Sequence, residues 1–159
     1  MGKPIAPKPA QQSAFERIAF LVSFKERSKQ EMFSRLVREG FPEQEIEEAL
    51  VRAENCDLIN DARFAEMFVR SRMNAGRGMQ GIDFELQRLG INRDAVSEGE
   101  EGSSFEEGED ELTRALAFLE RKPPKTKNKR DGAYRKLLGR GFASSVAATA
   151  AKIWSENLD

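Results

Sequence analysis

One pattern occurs three times in this chain of 159 residues: an amphipathic helix, a glycine, a large apolar residue and a second amphipathic helix. The three turn segments read LVREGF, LQRLGI and LLGRGF. Their glycines, Gly40, Gly90 and Gly141, lie 50 and 51 residues apart. Glycine readily adopts the left-handed conformation that ends a helix. Regular self-similarity is typical of stacked helical modules, so the pattern predicts three copies of one helical unit.

Each copy includes a further helix before the turn. Apolar residues recur at helical spacing over residues 15–24, 61–73 and 112–119. An apolar residue follows each turn glycine, and a second apolar residue comes five positions later, at Ile46, Val96 and Ala147. This separation matches a hydrophobic staple, in which the two residues pack together at the start of the next helix. Two S-x-x-E sequences, Ser13–Glu16 and Ser28–Glu31, predict capped helix starts.

We expect an all-α fold, an elongated tandem array of three three-helix repeats. The predicted segments are a flexible tail at 1–12, repeat 1 at 13–58, repeat 2 at 59–97, an acidic linker at 98–106 and repeat 3 at 107–159. The alternative is an all-α protein in which helix–glycine–helix segments recur by coincidence.

Charge is distributed unevenly along the chain, although the formal net charge of −1 identifies no partner. Residues 98–111 contain eight acidic and no basic residues, a composition that buries little. Residues 121–136 contain eight basic residues and one acid, and their basic loop, 121–130, includes Pro123–Pro124. Four cations of this loop are candidates for binding DNA or an acidic groove: Lys125, Lys127, Lys129 and Arg130. A solvated loop that balances the acidic linker is the alternative.

A second set of basic residues follows the predicted helix that begins at Asp61. Polar residues recur every three or four positions, at Arg63, Glu66, Arg70, Asn74 and Arg77. This stripe is predicted to lie away from the apolar residues Phe64, Met67 and Phe68, and Arg72 adds a nearby charge. Guanidinium groups bind phosphates and carboxylates in a forked geometry, so Arg63, Arg70, Arg72 and Arg77 are candidate binding residues. An ordinary solvated helix face is the alternative.

Several kinds of site are excluded or disfavoured by the residues themselves. The chain has no histidine and a single cysteine, Cys56, which excludes His-based triads, a disulfide within the chain and a Cys-ligated zinc site. It has no phosphate-binding loop motif and no apolar run long enough to cross a membrane. We therefore predict a cytoplasmic protein that is not an enzyme and has no catalytic residues, metal or cofactor.

The residues also resemble those of a known family, the RecX family of bacterial recombination regulators. The resemblance rests on an ERS-x-x-E-x-x-x-x-L run from Glu26, an LIND-x-x-FA block from Leu58 and an R-x-x-x-G-x-G segment from Arg72. These pieces occur in the family's order and spacing over residues 14–96, and residues 107–157 are similar in layout. The chain departs from the family at Met79, Gln80 and Gly81, where a basic residue is usual.

The resemblance implies a binding protein built from tandem three-helix modules. Its implied partner is RecA in its filament on single-stranded DNA, whose ATPase, strand-exchange and co-protease activities it would reduce, acting as a monomer. Direct contact with DNA phosphates is a further expectation. A helical-repeat protein that binds nucleic acid without RecA is the alternative, and a scaffold for another partner is a third. A helix-turn-helix that reads base edges is disfavoured, because the helix predicted from Glu43 begins with glutamates that phosphates repel.

Overall fold

The computed structural model describes residues 12–93 and 109–158. Within these ranges the chain forms eight α-helices and no β-strand, which confirms the all-α class. The helices are α1 (Ala14–Val22), α2 (Lys29–Arg38), α3 (Glu43–Asn55), α4 (Asp61–Asn74), α5 (Met79–Arg88), α6 (Glu109–Arg121), α7 (Lys129–Gly139) and α8 (Ser144–Glu156). The predicted tail, apart from Gln12, and the predicted acidic linker lie outside the described residues, as does Val96.

Both predicted capping serines begin a helix. The Ser13 hydroxyl accepts a hydrogen bond from the Glu16 amide at 3.1 Å, and the Ser28 hydroxyl accepts one from the Glu31 amide at 3.1 Å. Each bond satisfies an amide that has no partner within its helix. The first helix ends at Val22, before the predicted end at residue 24.

The three turn glycines end their helices as predicted. Gly40, Gly90 and Gly141 have φ angles of 91°, 78° and 90°, in the left-handed region. At the first and third turns the next amide, of Phe41 or Phe142, donates to a carbonyl five residues earlier, at 3.2 and 3.1 Å. These bonds form the Schellman arrangement and turn the apolar residue inward, where it is buried.

The described residues divide into two compact units, and the first boundary along the chain falls inside α4. The first unit comprises the chain as far as Ala65 together with Arg88–Ile91. In this unit α1 and α2 both pack on α3. The core is formed by buried side chains that include Ile18, Met32, Leu36, Ile46 and Leu50. The boundaries of the three predicted repeats stay a prediction, since these units follow contacts rather than sequence similarity.

The second unit comprises Glu66–Gln87 and the described residues from Asn92 onward. Within it α6 and α7 both pack on α8. Its main cluster of buried side chains includes Phe118, Leu119, Leu137, Phe142 and Trp154. Ala147, the predicted staple position, is also fully buried in this cluster.

Two turns of the second unit are joined through their backbones. The Gly78 amide donates to the Arg140 carbonyl, and the Gly81 amide donates to the Gly141 carbonyl, both at 2.9 Å. A Cβ atom at Gly78 would lie within 2.5 Å of the Gly141 carbonyl carbon, and one at Gly81 would lie 2.8 Å from the Gly141 Cα. We call Gly78, Gly81 and Gly141 the glycine joint. Only residues without a side chain allow the two backbones to approach this closely.

Candidate functional site

Arg63, the first candidate arginine, is held by internal ion pairs in the first unit. Its Nε lies 2.6 Å from the Glu26 carboxylate, and its Nη1 lies 3.0 Å from that of Asp57. Its Nη2 also donates to the Asp57 carbonyl at 3.0 Å. The hydrogen bond to Glu26 is the main cause that raises the pKa of Arg63 above its ordinary value. This guanidinium therefore stabilises the chain around α4 and has few donors left for a partner.

Arg70 and Arg72 lie on the last turns of α4, in the second unit. The Arg70 side chain is 69% exposed and pairs with Glu66 one turn earlier, at 3.0 Å. Arg72 pairs with Glu85 of α5 at 3.0 Å, and its guanidinium lies 4.7 Å from the Phe68 ring centroid. Pairs this exposed contribute little to stability, so Arg70 in particular can exchange its carboxylate for one on a partner.

The predicted stripe on α4 needs two corrections. Helix α4 ends at Asn74, so Arg77 lies in the turn after it, where its amide donates to the Arg72 carbonyl at 3.0 Å. Met67, expected on the apolar face, is 50% exposed, whereas Phe64 is buried. The helical spacing does not extend to Arg77, because Gly76, with a φ of 81°, adopts the left-handed conformation that follows the end of a helix.

The four basic-loop candidates lie close together along the chain, between α6 and α7 and in the first turn of α7. Lys125, Lys127, Lys129 and Arg130 are all exposed. The Lys129 ammonium donates to the Pro124 carbonyl at 3.2 Å. The single acid of this region, Asp131, already pairs with Arg135 at 3.2 Å.

The basic loop therefore keeps its positive charge largely uncompensated. Among the described residues, Lys125, Lys127 and Arg130 form no ion pair. An exposed group of cations without carboxylate partners attracts polyanions and acidic surfaces over about a Debye length.

Two further arginines of the second unit have structural roles that the sequence patterns did not indicate. The Arg114 guanidinium donates two hydrogen bonds to the Arg77 carbonyl, at 2.7 and 3.2 Å, and contacts Glu111 at 3.1 Å. Glu111 in turn accepts from the Met79 amide at 2.7 Å and so caps α5. Arg140 follows the last residue of α7, and its guanidinium carbon lies 4.8 Å from the Phe118 ring centroid. A lone arginine within a helix gives no sequence signal, but Arg140 lies within the repeated turn segment LLGRGF.

Other site types receive no support from the described ranges. No three residues of the His, Cys, Asp or Glu types come together there in a way that could hold a metal ion. No helix in the same ranges is long and apolar enough to cross a bilayer. The basic loop and the end of α4 remain the candidate binding surfaces.

Comparisons with known proteins identify one family, in which two family models match about half of the chain and relatives match most of it. The model "RecX, first three-helix domain" matches residues 14–52, and "RecX, second three-helix domain" matches residues 60–99. The chain is 32% identical over 140 residues to "Regulatory protein RecX" of Haemophilus influenzae (strain PittEE), covering 85% of this chain and 90% of that one. It is 28% identical over 135 residues to the protein of the same name from Prosthecochloris aestuarii, covering 84% and 87%. These names describe regulatory proteins and not enzymes.

Solved structures show the same fold. The crystal structure of RecX from Lactobacillus salivarius superposes with a TM-score of 0.74 at 22% identity, covering 90% of this chain and 95% of that chain. A second crystal structure, of a regulatory protein RecX, gives a TM-score of 0.70 at 21% identity, covering 87% of this chain and 71% of that chain. Together with the family models, they confirm the predicted tandem three-helix architecture.

Proposed function

Since this chain belongs to the RecX family, we propose that it binds RecA in its filament on single-stranded DNA, as a monomer, and inhibits the ATPase, strand-exchange and co-protease activities of RecA. The observation that supports this proposal most directly is the exposed basic loop, whose basic side chains form no ion pair among the described residues. A filament of protein on DNA offers the phosphates of its strand to such a loop. A ligand that favours one filament state shifts the population toward it by its difference in affinity.

The arginines of α4 contribute unequally in this proposal. Arg70 is exposed and bound only by one exposed carboxylate, so it can reach a partner at low cost. Arg72 forms an ion pair with Glu85, and its guanidinium lies over the Phe68 ring. Arg63 would have to leave Glu26 and Asp57, so we assign it the smallest direct share of the contact. Arg77 lies in the turn that follows α4 and adds a fourth positive charge.

The first experiment measures single-stranded-DNA-dependent ATP hydrolysis by the cognate RecA while this protein is titrated in. The double variant Arg70→Glu/Arg72→Glu should need at least tenfold more protein for half-maximal inhibition. The matched control, Arg38→Glu/Arg88→Glu, changes the charge equally at two other exposed arginines and should shift the midpoint less than twofold. Unchanged inhibition by the first variant would refute the role of the α4 arginines.

The basic loop is tested by salt dependence. Neutralising Lys125, Lys127, Lys129 and Arg130 to glutamine should weaken binding to RecA-coated single-stranded DNA. It should also flatten the dependence of log affinity on log salt concentration, by about 0.7 for each phosphate that the variant no longer neutralises. If affinity and slope both stay unchanged, the loop is merely solvated.

The same unpaired loop cations support a second candidate, a protein that binds nucleic acid without RecA. A DNA-only titration at each salt concentration separates the two. Submicromolar DNA binding together with undisturbed RecA ATPase would favour this second function. Inhibition at protein concentrations well below that of RecA would favour the first, because few bound molecules then suffice.

A further inference from the structure

A small cleft in the second unit lies where three helices end. Its volume is about 220 Å³, and it opens at the C-terminal ends of α4, α6 and α7. The residues that line it are Asn74, Ala75, Phe118, Arg121, Lys122 and Arg140. Three of these six carry a positive charge, and none carries a negative one.

The cations of the cleft have no acidic partner in the described part of the chain. Arg121 and Lys122 are exposed and form no ion pair among the described residues. The Arg140 guanidinium packs on the Phe118 ring, with 4.8 Å from its central carbon to the ring centroid. The Lys136 ammonium lies 5.7 Å from the same centroid and adds positive charge nearby. Stacking on a ring leaves the N–H groups at the edge of a guanidinium able to donate.

The frame of the cleft is fixed by packing. Phe118 is 2% exposed, and the turn at Gly76 packs so closely on it that a Cβ there would lie 2.8 Å from the Phe118 Cδ2. The Arg140 carbonyl accepts from the Gly78 amide at 2.9 Å, so the glycine joint holds the backbone that carries this arginine. A ligand would therefore meet a largely formed site, which lowers the entropic cost of binding.

Compensation of helix dipoles accounts for only part of this charge. The C-terminal end of a helix carries about half a negative elementary charge, and basic side chains commonly balance it. Three such ends balance about half of the three full positive charges that line the cleft. The positive charge that the helix ends do not balance favours binding of a small anion with more than one negative charge.

We propose that this cleft binds a phosphate group, with Arg121, Lys122 and Arg140 as its ligands. Guanidinium and ammonium groups both donate charge-assisted hydrogen bonds to phosphate oxygens. The phosphate belongs either to a nucleic-acid strand that continues along the basic loop or to a free oligophosphate. Arg121 and Lys122 are the first residues of the basic loop, so the strand form of this inference rests on the proposed nucleic-acid contact of that loop, whereas the ligand chemistry itself needs no RecA.

The test uses the full-length, ¹⁵N-labelled protein without RecA, titrated separately with sodium triphosphate and with an oligothymidylate. Amide shifts should concentrate at Asn74, Ala75 and Arg140. The variant Arg121→Gln/Lys122→Gln should bind the ligand at least tenfold more weakly. The control Arg38→Gln/Lys152→Gln removes the same charge from exposed positions elsewhere and should change affinity less than twofold. Unchanged melting temperatures of both variants show that the fold is retained.

The two titrations identify the source of the phosphate. A tenfold loss with the oligonucleotide alone assigns the cleft to a strand, and a loss with triphosphate alone assigns it to a free oligophosphate. Equal losses in the cleft variant and the control would show diffuse attraction and overturn the proposal. Absence of shifts at the cleft with both ligands would also overturn it. Neither result bears on RecA inhibition, which is measured separately.

Discussion

The glycine joint can be tested with a single methyl group. Gly78→Ala places a Cβ within 2.5 Å of the carbonyl carbon and oxygen of Gly141. Both atoms belong to the backbone, so rotating a side chain cannot relieve the clash. The turn between α7 and α8 must move away from the turn between α4 and α5.

The loss of stability can be estimated from the contacts that this movement breaks. Two backbone hydrogen bonds join the turns, and each contributes about 0.5–1.5 kcal/mol net. Opening the joint also exposes part of Phe142, now 2% exposed, and half the burial of a phenylalanine is worth about 1 kcal/mol. We expect Gly78→Ala to lower the free energy of unfolding by about 3 kcal/mol.

Two other glycines provide matched controls for the same substitution. Gly40 has a φ of 91° with open space around its Cβ position, so Gly40→Ala should cost only the left-handed backbone strain, about 1–2 kcal/mol. Gly139 lies in the last turn of α7 with open space around it, and Gly139→Ala should stabilise by about 0.5–1 kcal/mol.

The measurement is urea unfolding followed by far-UV circular dichroism and by fluorescence of Trp154, the only tryptophan, which is buried in the second unit. The expected order of stability is Gly139→Ala, wild type, Gly40→Ala and then Gly78→Ala. If Gly78→Ala costs no more than Gly40→Ala, the joint does not hold the two turns, and the reasoning is wrong.

Three further predictions concern the first unit. The bond from Arg17 keeps the pKa of the Glu39 carboxyl below its ordinary value of 4.5, so Glu39→Gln should lower the free energy of unfolding by about 1–3 kcal/mol. A carboxyl whose pKa is lower in the folded chain than in the unfolded chain stabilises the fold when it is ionised, so the stability difference between wild type and Glu39→Gln should be largest above pH 4.5. It should shrink as the pH falls below 4.5, which urea unfolding at several pH values would measure. Ser28→Ala should lower stability by about 1–2 kcal/mol through loss of the cap on the Glu31 amide, whereas Ser28→Thr, which keeps a hydroxyl, should cost less; equal losses would contradict the cap. Asp57 has a φ of 64°, so Asp57→Val should lower the melting temperature more than Asp57→Asn, because a β-branched residue does not tolerate that backbone.

Local sequence rules predicted the fold well where one residue determines one conformation. The capping serines, the left-handed turn glycines and the staple residues Ile46 and Ala147 are all positions of this kind. The boundaries of the compact units are different, because they depend on which surfaces meet across the chain. No periodicity in α4 could indicate that Ala65 and Glu66 belong to different units.

The candidate site was less predictable for a related reason. Helical spacing placed Arg63 and Arg70 on one stripe, yet Arg63 is held by Glu26, 37 residues earlier, and Arg70 only by a neighbour on its own helix. Whether an arginine is available depends on carboxylates brought near it by the fold, and these do not appear in a local pattern. Arg140 was overlooked because its importance comes from Phe118 and the glycine joint.

The glycine joint also affects how the second unit must form. Most contacts in a helical array are local, and such arrays fold quickly. The bonds of the joint instead connect residues about sixty positions apart, so a long loop must close before they contribute. The entropic cost of closing a loop grows slowly, by about 0.6 kcal/mol for each doubling of its length. Adding residues to the chain that separates the two turns therefore costs little closure entropy, whereas one methyl group at the joint is costly.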